Sequence, residues 1–168
     1  MGLIDGAIKI LKDVKMMTSD DPYVRGLRFE NYVDNLFSKK YYAIAEKTHS
    51  TETNEKQYIE SSMNPDFVYR YKPTNELIAV ECKYRSHLDG NFLVWSYPEQ
   101  LQRYKTFSYK RNIPVYIIIG LGGIDDEPDR LFCIPLEKAK YPNLYPSIYE
   151  QFERDPKAKF YWKNRTLY

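Results

Sequence analysis

Apolar positions in this chain recur first every three to four residues and later every second residue, and the changeovers mark out its elements. Leu3, Ile4, Ala7, Ile8, Leu11 and Val14 predict a short amphipathic helix over residues 3–15. It either packs on the domain or offers its apolar face to a partner or a membrane surface. Asp21 as N-cap and Pro22 at the first helical position open a second helix that should run to about Ser38. Its apolar face is Phe29, Val33, Leu36 and Phe37, with Glu30 on the border, half inside. Tyr41 to Thr48 reads as a strand, residues 49–60 as a polar loop, and Phe67 to Tyr71 as a second strand. A Pro73-Thr74-Asn75 turn leads into a third.

The third strand carries the most informative alternation. In the run from Glu76 to Tyr84, Leu77, Ala79, Glu81 and Lys83 share one face, while Ile78, Val80, Cys82 and Tyr84 share the other. Both faces carry apolar residues, the pattern of a strand covered on both sides. An unpaired charge there costs several kcal/mol. Glu81 and Lys83 should therefore be paired with each other, with Asp66 or with a metal, in a cleft at the strand's end. Asp66 begins one hairpin arm where Glu81 ends the other, so antiparallel pairing brings them side by side across fifteen positions (81 − 66). Two carboxylates and an amine so placed are the minimum equipment for holding Mg²⁺ and activating water. Taken singly, the same residues have plainer uses: Asp66 as a turn cap after Pro65, Glu81 and Lys83 as an exposed cross-strand pair.

Beyond a loop over 86–95, Ser96-Tyr97-Pro98-Glu99 forms a capping box with proline inside the first turn. The helix it opens places Gln100 on a stripe with Leu101, Tyr104 and Phe107, where an unpartnered amide costs about 1–3 kcal/mol. Pro114 closes this helix, and Val115 to Ile119 is an apolar strand ended by Gly120, Gly122 and Gly123. Leu131 to Pro135 is a fifth strand, followed by a helical turn at 136–140, a helix near 146–154 and a basic, aromatic end.

Length and charge narrow the picture. The 168 residues suit one domain with its own core, and 43% hydrophobic with 29% charged residues is the balance of a water-soluble globular chain. A net charge of +2 announces no polyanion binder, so a nucleic-acid face must come from local clustering. One cluster is Arg103, Lys105, Lys110 and Arg111; another is Arg154, Lys157, Lys159, Lys163 and Arg165 interleaved with Phe160, Tyr161 and Trp162. Cys82 and Cys133 lack metal-ligand or CxxC spacing, which fits a reduced, cytoplasmic protein. Lys9, Lys12 and Asp13 interrupt any signal-like apolar core, and no stretch approaches the roughly 20 apolar residues of a membrane span. His49 and His87 fall in polar loops without partners at ligand or nucleophile spacing.

The order of elements and acidic residues resembles the PD-(D/E)XK, or restriction-endonuclease-like, nuclease superfamily across roughly residues 22 to 120. Pro65-Asp66 matches its PD element, Glu81-Cys82-Lys83 its ExK element, and Glu30 stands where its first-helix glutamate would be. Gln100-Leu101-Gln102-Arg103-Tyr104 resembles the QxxxY motif of the RecB-type and Holliday-junction-resolvase-like branches. The resemblance implies an α/β fold with an αβββαβ core over about 22–135 and a central mixed sheet flanked by helices. The N-terminal helix and the C-terminal helical or extended tail would lie outside that core. It implies a DNA nuclease, with RNA left open and a homodimer expected for two-strand cleavage. Asp66, Glu81 and the main-chain carbonyl of Cys82 would hold Mg²⁺, or Mn²⁺ in its place, with Glu30 as a further ligand or orienter of water. Lys83 would position the attacking water or stabilise developing charge, and Gln100 and Tyr104 would orient the phosphate or the lysine. The other reading is a non-catalytic nucleic-acid-binding or assembly module that keeps the fold.

Overall fold

The computed structural model describes residues 6, 8–11, 14, 18–48 and 64–168. Most of the expected 3–15 helix and the 49–60 loop lie outside the described residues. Ile8, Leu11 and Val14 of that helix are exposed instead of packed.

Helix α1 spans Pro22–Leu36, ending two residues earlier than expected, and Asp21 Oδ1 accepts the Tyr23 and Val24 amides at 2.8 and 3.3 Å. Strands β1 (Tyr42–Lys47), β2 (Phe67–Tyr71) and β3 (Glu76–Arg85) follow as an antiparallel meander. The β2–β3 turn places Asn75 at φ 64°, a conformation that asparagine tolerates. The short β4 (Leu93–Val94) precedes α2 (Pro98–Arg111), which crosses to β5 (Val115–Leu121), parallel to β3. Then come β6 (Arg130–Pro135), β7 (Asn143–Leu144), α3 (Pro146–Tyr149), a 3₁₀ turn, β8 (Glu153–Arg154) and a hairpin of β9 (Trp162–Lys163) and β10 (Thr166–Leu167). Among the described residues the main sheet has six strands in the order β1-β2-β3-β5-β6-β8, mixed only at β3–β5.

Each sheet face has its own core. Ala79, Ile117, Ile119 and Phe132 pack with Leu101, Tyr104 and Phe107 of α2; Ile78, Val80, Cys82 and Ile118 pack with Phe29, Val33 and Leu36 of α1. The alternation read along β3 thus assigns its residues to two cores. Cys82 and Cys133 are free and buried, separated in the ladder by Ile118, so they stand two strands apart, about 10 Å and beyond disulfide reach.

Three expectations need correction. The capping box does not form: Tyr97 is the N-cap of α2 and has no side-chain cap bond, while Ser96 is buried with its hydroxyl unpartnered. Pro98 at the first helical position holds the preceding residue extended, so the cap falls on Tyr97 and Ser96 lies one residue too far out. Strand β5 runs through Gly120 to Leu121 and ends at Gly122 and Gly123, with φ of 70° and 60°. Gly120 is needed inside the strand because a Cβ there would strike the Phe29 ring. Gly120→Ala is expected to cost about 1–3 kcal/mol by overpacking, measurable by urea unfolding, and to displace the α1 turn that carries Glu30. Unchanged stability would show that Phe29 can swing aside.

The tail is core, not appendage. Phe160, Trp162 and Leu167 are buried; Phe37 stacks between Tyr69 and Phe160 at centroid distances of 4.0 and 4.5 Å; and Trp162 Nε1 donates to Glu76 at 2.8 Å. Arg154 lies 3.7 Å from the Phe160 ring centroid. The interleaved basic and aromatic residues thus form a surface strip over a buried one, with Lys159 donating to the Asn35 carbonyl of α1.

Candidate active site

The β2–β3 register pairs Phe67 with Val80, which sets Asp66 opposite Glu81 just past the last ladder pair. Asp66 Oδ2 accepts the Cys82 amide at 2.7 Å, so its carboxylate is held against the backbone that carries Glu81. Glu81 Oε1 lies 2.5 Å from Lys83 Nζ, on the same strand face as the alternation requires. Glu30 enters from α1. It is deeper than its border position suggested: Glu30 and Asp66 are each 7% exposed, and Glu81 2%.

Three acidic groups and one lysine in so small a buried volume perturb one another. Burial pushes the Glu30 carboxyl up to about 7; Lys47 opposes the shift, and Glu81 adds to it. Asp66 is raised by burial first and then by the Glu81 and Glu30 charges. Burial on its own would lower Lys83, but Glu81 and Asp66 outweigh it and hold the ammonium above its ordinary value. Tyr104 is raised by burial first and then by the nearby Glu81 carboxylate. The unfolded chain gives up its glutamate protons near 4.5, whereas folded Glu30 keeps its proton to about 7. The metal-free protein should therefore lose stability as pH rises through that window. Melting in EDTA at pH 5 and pH 8 is expected to show the loss, and Glu30→Gln to flatten it. A wild-type curve that rises over this window with the same slope as Glu30→Gln would count against it.

Two clefts meet at Lys83 and Arg85. One, of about 370 Å³, lies between α1 and the end of β3 and is lined by Arg25, Gly26, Glu30, Asp66 and Cys82; the other, of about 450 Å³, lies under the start of α2 and is lined by Tyr97, Glu99, Gln100 and Arg103. Lys83 therefore stands between an acidic half and a half containing Gln100 and Arg103. Gln100 is half-buried at the edge of the α2 stripe, facing the second cleft instead of sitting inside the apolar face. The Arg103 Nε is buried with no hydrogen-bond partner.

The expected site residues Glu30, Asp66, Glu81, Lys83, Gln100 and Tyr104 thus surround one strand end. At Cys82 the visible interaction is its amide donating to Asp66. The basic set on α2 does not stay together. Arg103 lines the second cleft, Lys105 and Lys110 line a groove at the other end of the sheet, and Arg111 is tied to Glu46 by two bonds of 2.6 and 2.7 Å. Arg25 and Arg85 were missed. Arg85 continues the 81–83 alternation and so was open to discovery from the sequence; its donors are committed to the Val94, Tyr84 and Trp95 carbonyls, fastening β3 to the segment before α2. Arg25 lies 5.1 Å over the Tyr84 ring and 3.4 Å from Asp125, a long-range arrangement with no local signal.

Among the described residues no three His, Cys, Asp or Glu side chains are gathered in ready ligating geometry. Mg²⁺ asks for less, one or two carboxylates and water. The donors fit such an ion: they are hard oxygens, and two of them, Glu30 Oε2 and Glu81 Oε2, are buried with no hydrogen-bond partner.

Neither family models nor curated proteins give a match to the chain. Among solved structures it is similar to Hjc, a Holliday junction resolvase from the archaeal hyperthermophile Archaeoglobus fulgidus. The TM-score is 0.53 at 18% identity, covering 75% of this chain and 93% of that one. The fold is restriction-endonuclease-like. The strand end that bears Asp66 and Glu81 is flanked by one helix on each sheet face, α1 and α2. That is how side chains from both cores, Glu30 and Tyr104, reach the same two carboxylates.

Among the described residues no helix is long and apolar enough to cross a membrane.

Proposed function

We propose that this chain is a Mg²⁺-dependent nuclease that hydrolyses phosphodiester bonds of DNA. The observation that supports it most is an open cleft lined by Glu30, Asp66 and Lys83, with Glu81 buried against that lysine and two carboxylate oxygens buried and unpartnered. A purely structural cluster would have its charges matched. The likeness to a protein named as a Holliday junction resolvase makes branched DNA the first substrate to try.

Asp66, Glu81 and the Cys82 carbonyl would hold the ion, with Glu30 as a further ligand or orienting a water beside it. Mg²⁺ held there would polarise the phosphate and lower the pKa of a bound water. The protein's own groups do the rest. The β2–β3 register sets Asp66 and Glu81 side by side, and the Cys82 amide holds the Asp66 carboxylate. Lys83, paired with Glu81 in the metal-free site, would place its ammonium against the phosphate and stabilise the charge that grows there. Water oxygen attacks phosphorus and gives up a proton to solvent, the bond to the leaving oxygen breaks, and that oxygen takes a proton from solvent. Gln100 lies in the cleft beyond Lys83, where its amide would orient the phosphate, and Tyr104 stands near Glu81.

The test is incubation of single-stranded, duplex and branched DNA, and of RNA, in Mg²⁺ and in Mn²⁺, with wild type and Asp66→Ala compared. Cleavage of DNA by the wild type alone is expected. No product with any metal, or equal product from the variant, would overturn the proposal. Nucleic-acid binding without cleavage would then support the assembly-module reading.

A further inference from the structure

Lys105 and Lys110, which the sequence grouped with Arg103, lie away from the clefts around Lys83. They line an open groove of about 1010 Å³ between the C-terminal half of α2, the start of β5, the turn after β6 and the β9–β10 hairpin. From the turn comes Lys140, and from the hairpin Arg165, so four cations separated by up to sixty positions (165 − 105) converge on one surface. Glu137 is the single acid among the lining residues. Among the described residues Lys105, Lys110 and Lys140 have no ion-pair partner, and Arg165 stands 4.0 Å from Glu76 with its side chain 79% exposed. Whole-chain charge hides this: +2 overall is compatible with a local field of four cations against one anion.

The groove also carries an exposed ring. Tyr109 is 89% exposed, one helical turn beyond Lys105 on the same side of α2. Cations spaced along an open channel, with a bare ring between them, match a polyanion that carries flat faces, and an unpaired base can reach a ring that a paired one cannot.

We propose that this groove is a second nucleic-acid-binding surface, which takes a single strand with its phosphates against Lys105, Lys110, Lys140 and Arg165 and a base stacked on Tyr109. Tyr109 lies nine positions beyond Gln100 in α2, about 14 Å along the helix, so the groove and the clefts are distinct surfaces on one rod. The groove uses neither Asp66 nor a metal and stands whether or not the chain hydrolyses DNA.

The experiment is fluorescence anisotropy with a labelled single-stranded oligothymidine in EDTA, over 50–200 mM salt, about the range in which phosphate contacts dominate affinity. Lys105→Ala with Lys140→Ala should weaken binding about tenfold or more and reduce the slope of log K against log salt by about 1.4, or 0.7 for each lost phosphate contact. Tyr109→Ala should weaken it about 5- to 100-fold with the slope unchanged, and Tyr109→Phe should bind as the wild type does, since the ring alone is required. All three positions are exposed, and circular dichroism melts should coincide with the wild type. Binding and slope within twofold of wild type for the double lysine variant would overturn the proposal. So would a duplex of equal length that competes as well as the single strand, or a Tyr109→Phe variant as weak as Tyr109→Ala.

Discussion

Asp66→Asn is expected to do two opposite things: abolish cleavage and make the metal-free protein more stable. Folding places the Asp66 carboxylate, 7% exposed, beside Glu81 and Glu30, and both burial and those charges disfavour its ionised form. An asparagine keeps an oxygen to accept the Cys82 amide and loses the charge. In EDTA at pH 8 its melting temperature should rise, each 1 kcal/mol released appearing as roughly 2–4 °C. With the charge goes the ability to hold a cation, so the melting shift produced by Mg²⁺ in the wild type should vanish. Hydrolysis should fall by roughly 10³-fold, about 4 kcal/mol of transition-state stabilisation. Calorimetry with and without Mg²⁺, read beside a cleavage assay, checks all three. A variant that melts below the wild type in EDTA, or keeps the Mg²⁺ shift, would remove Asp66 from the ion's neighbourhood. Destabilisation stored at a working site and relieved by its loss is a familiar trade between stability and activity.

The hairpin that carries this site was legible because its signals are local. Five residues of β2, a turn with asparagine at positive φ and a ten-residue strand with period-two alternation fix the register, and the register fixes the meeting of Asp66 and Glu81. Features that depend on what arrives from elsewhere were not legible. A helical wheel says which side of α2 a residue faces but not which end of the sheet lies beneath it. Arg103 and Lys110, seven residues and about 10 Å apart along the axis, therefore looked like one patch and belong to two. Arg111 was removed from that patch by Glu46, sixty-five positions away. Phe160, Trp162 and Leu167 sit among charged residues and read as a surface tail, whereas the space they fill is bounded by α1 and β2 residues remote in sequence. Glu30 was placed on the right face of its helix, but its depth depends on how closely α1 lies on β3, which Gly120 permits by leaving room for Phe29.

Lys83→Ala should have the opposite effect on stability from Asp66→Asn, although the two residues share a site. Lys83 Nζ is 2.5 Å from Glu81 Oε1, and the Glu81 side chain is 3% exposed with its other oxygen already unpartnered. Removing the ammonium leaves that carboxylate buried against Asp66 and Glu30 without its cation. Deleting one member of a buried pair typically costs about 3–5 kcal/mol; with Lys83 19% exposed, water recovers part of this, and about 3 kcal/mol is the expected loss. Because Lys83 keeps its proton past its ordinary pKa, the loss should be present at neutral pH and fade only where the wild-type lysine itself deprotonates. Mg²⁺ supplies the missing positive charge, so it should raise the melting temperature of Lys83→Ala by more than that of wild type, while cleavage stays lost because the ion cannot replace the ammonium at the phosphate. An active variant would take the lysine out of the chemistry. A variant that Mg²⁺ stabilises no more than wild type would mean that Glu81 does not face the ion, and the carboxylate would then belong to the Lys83 ion pair alone.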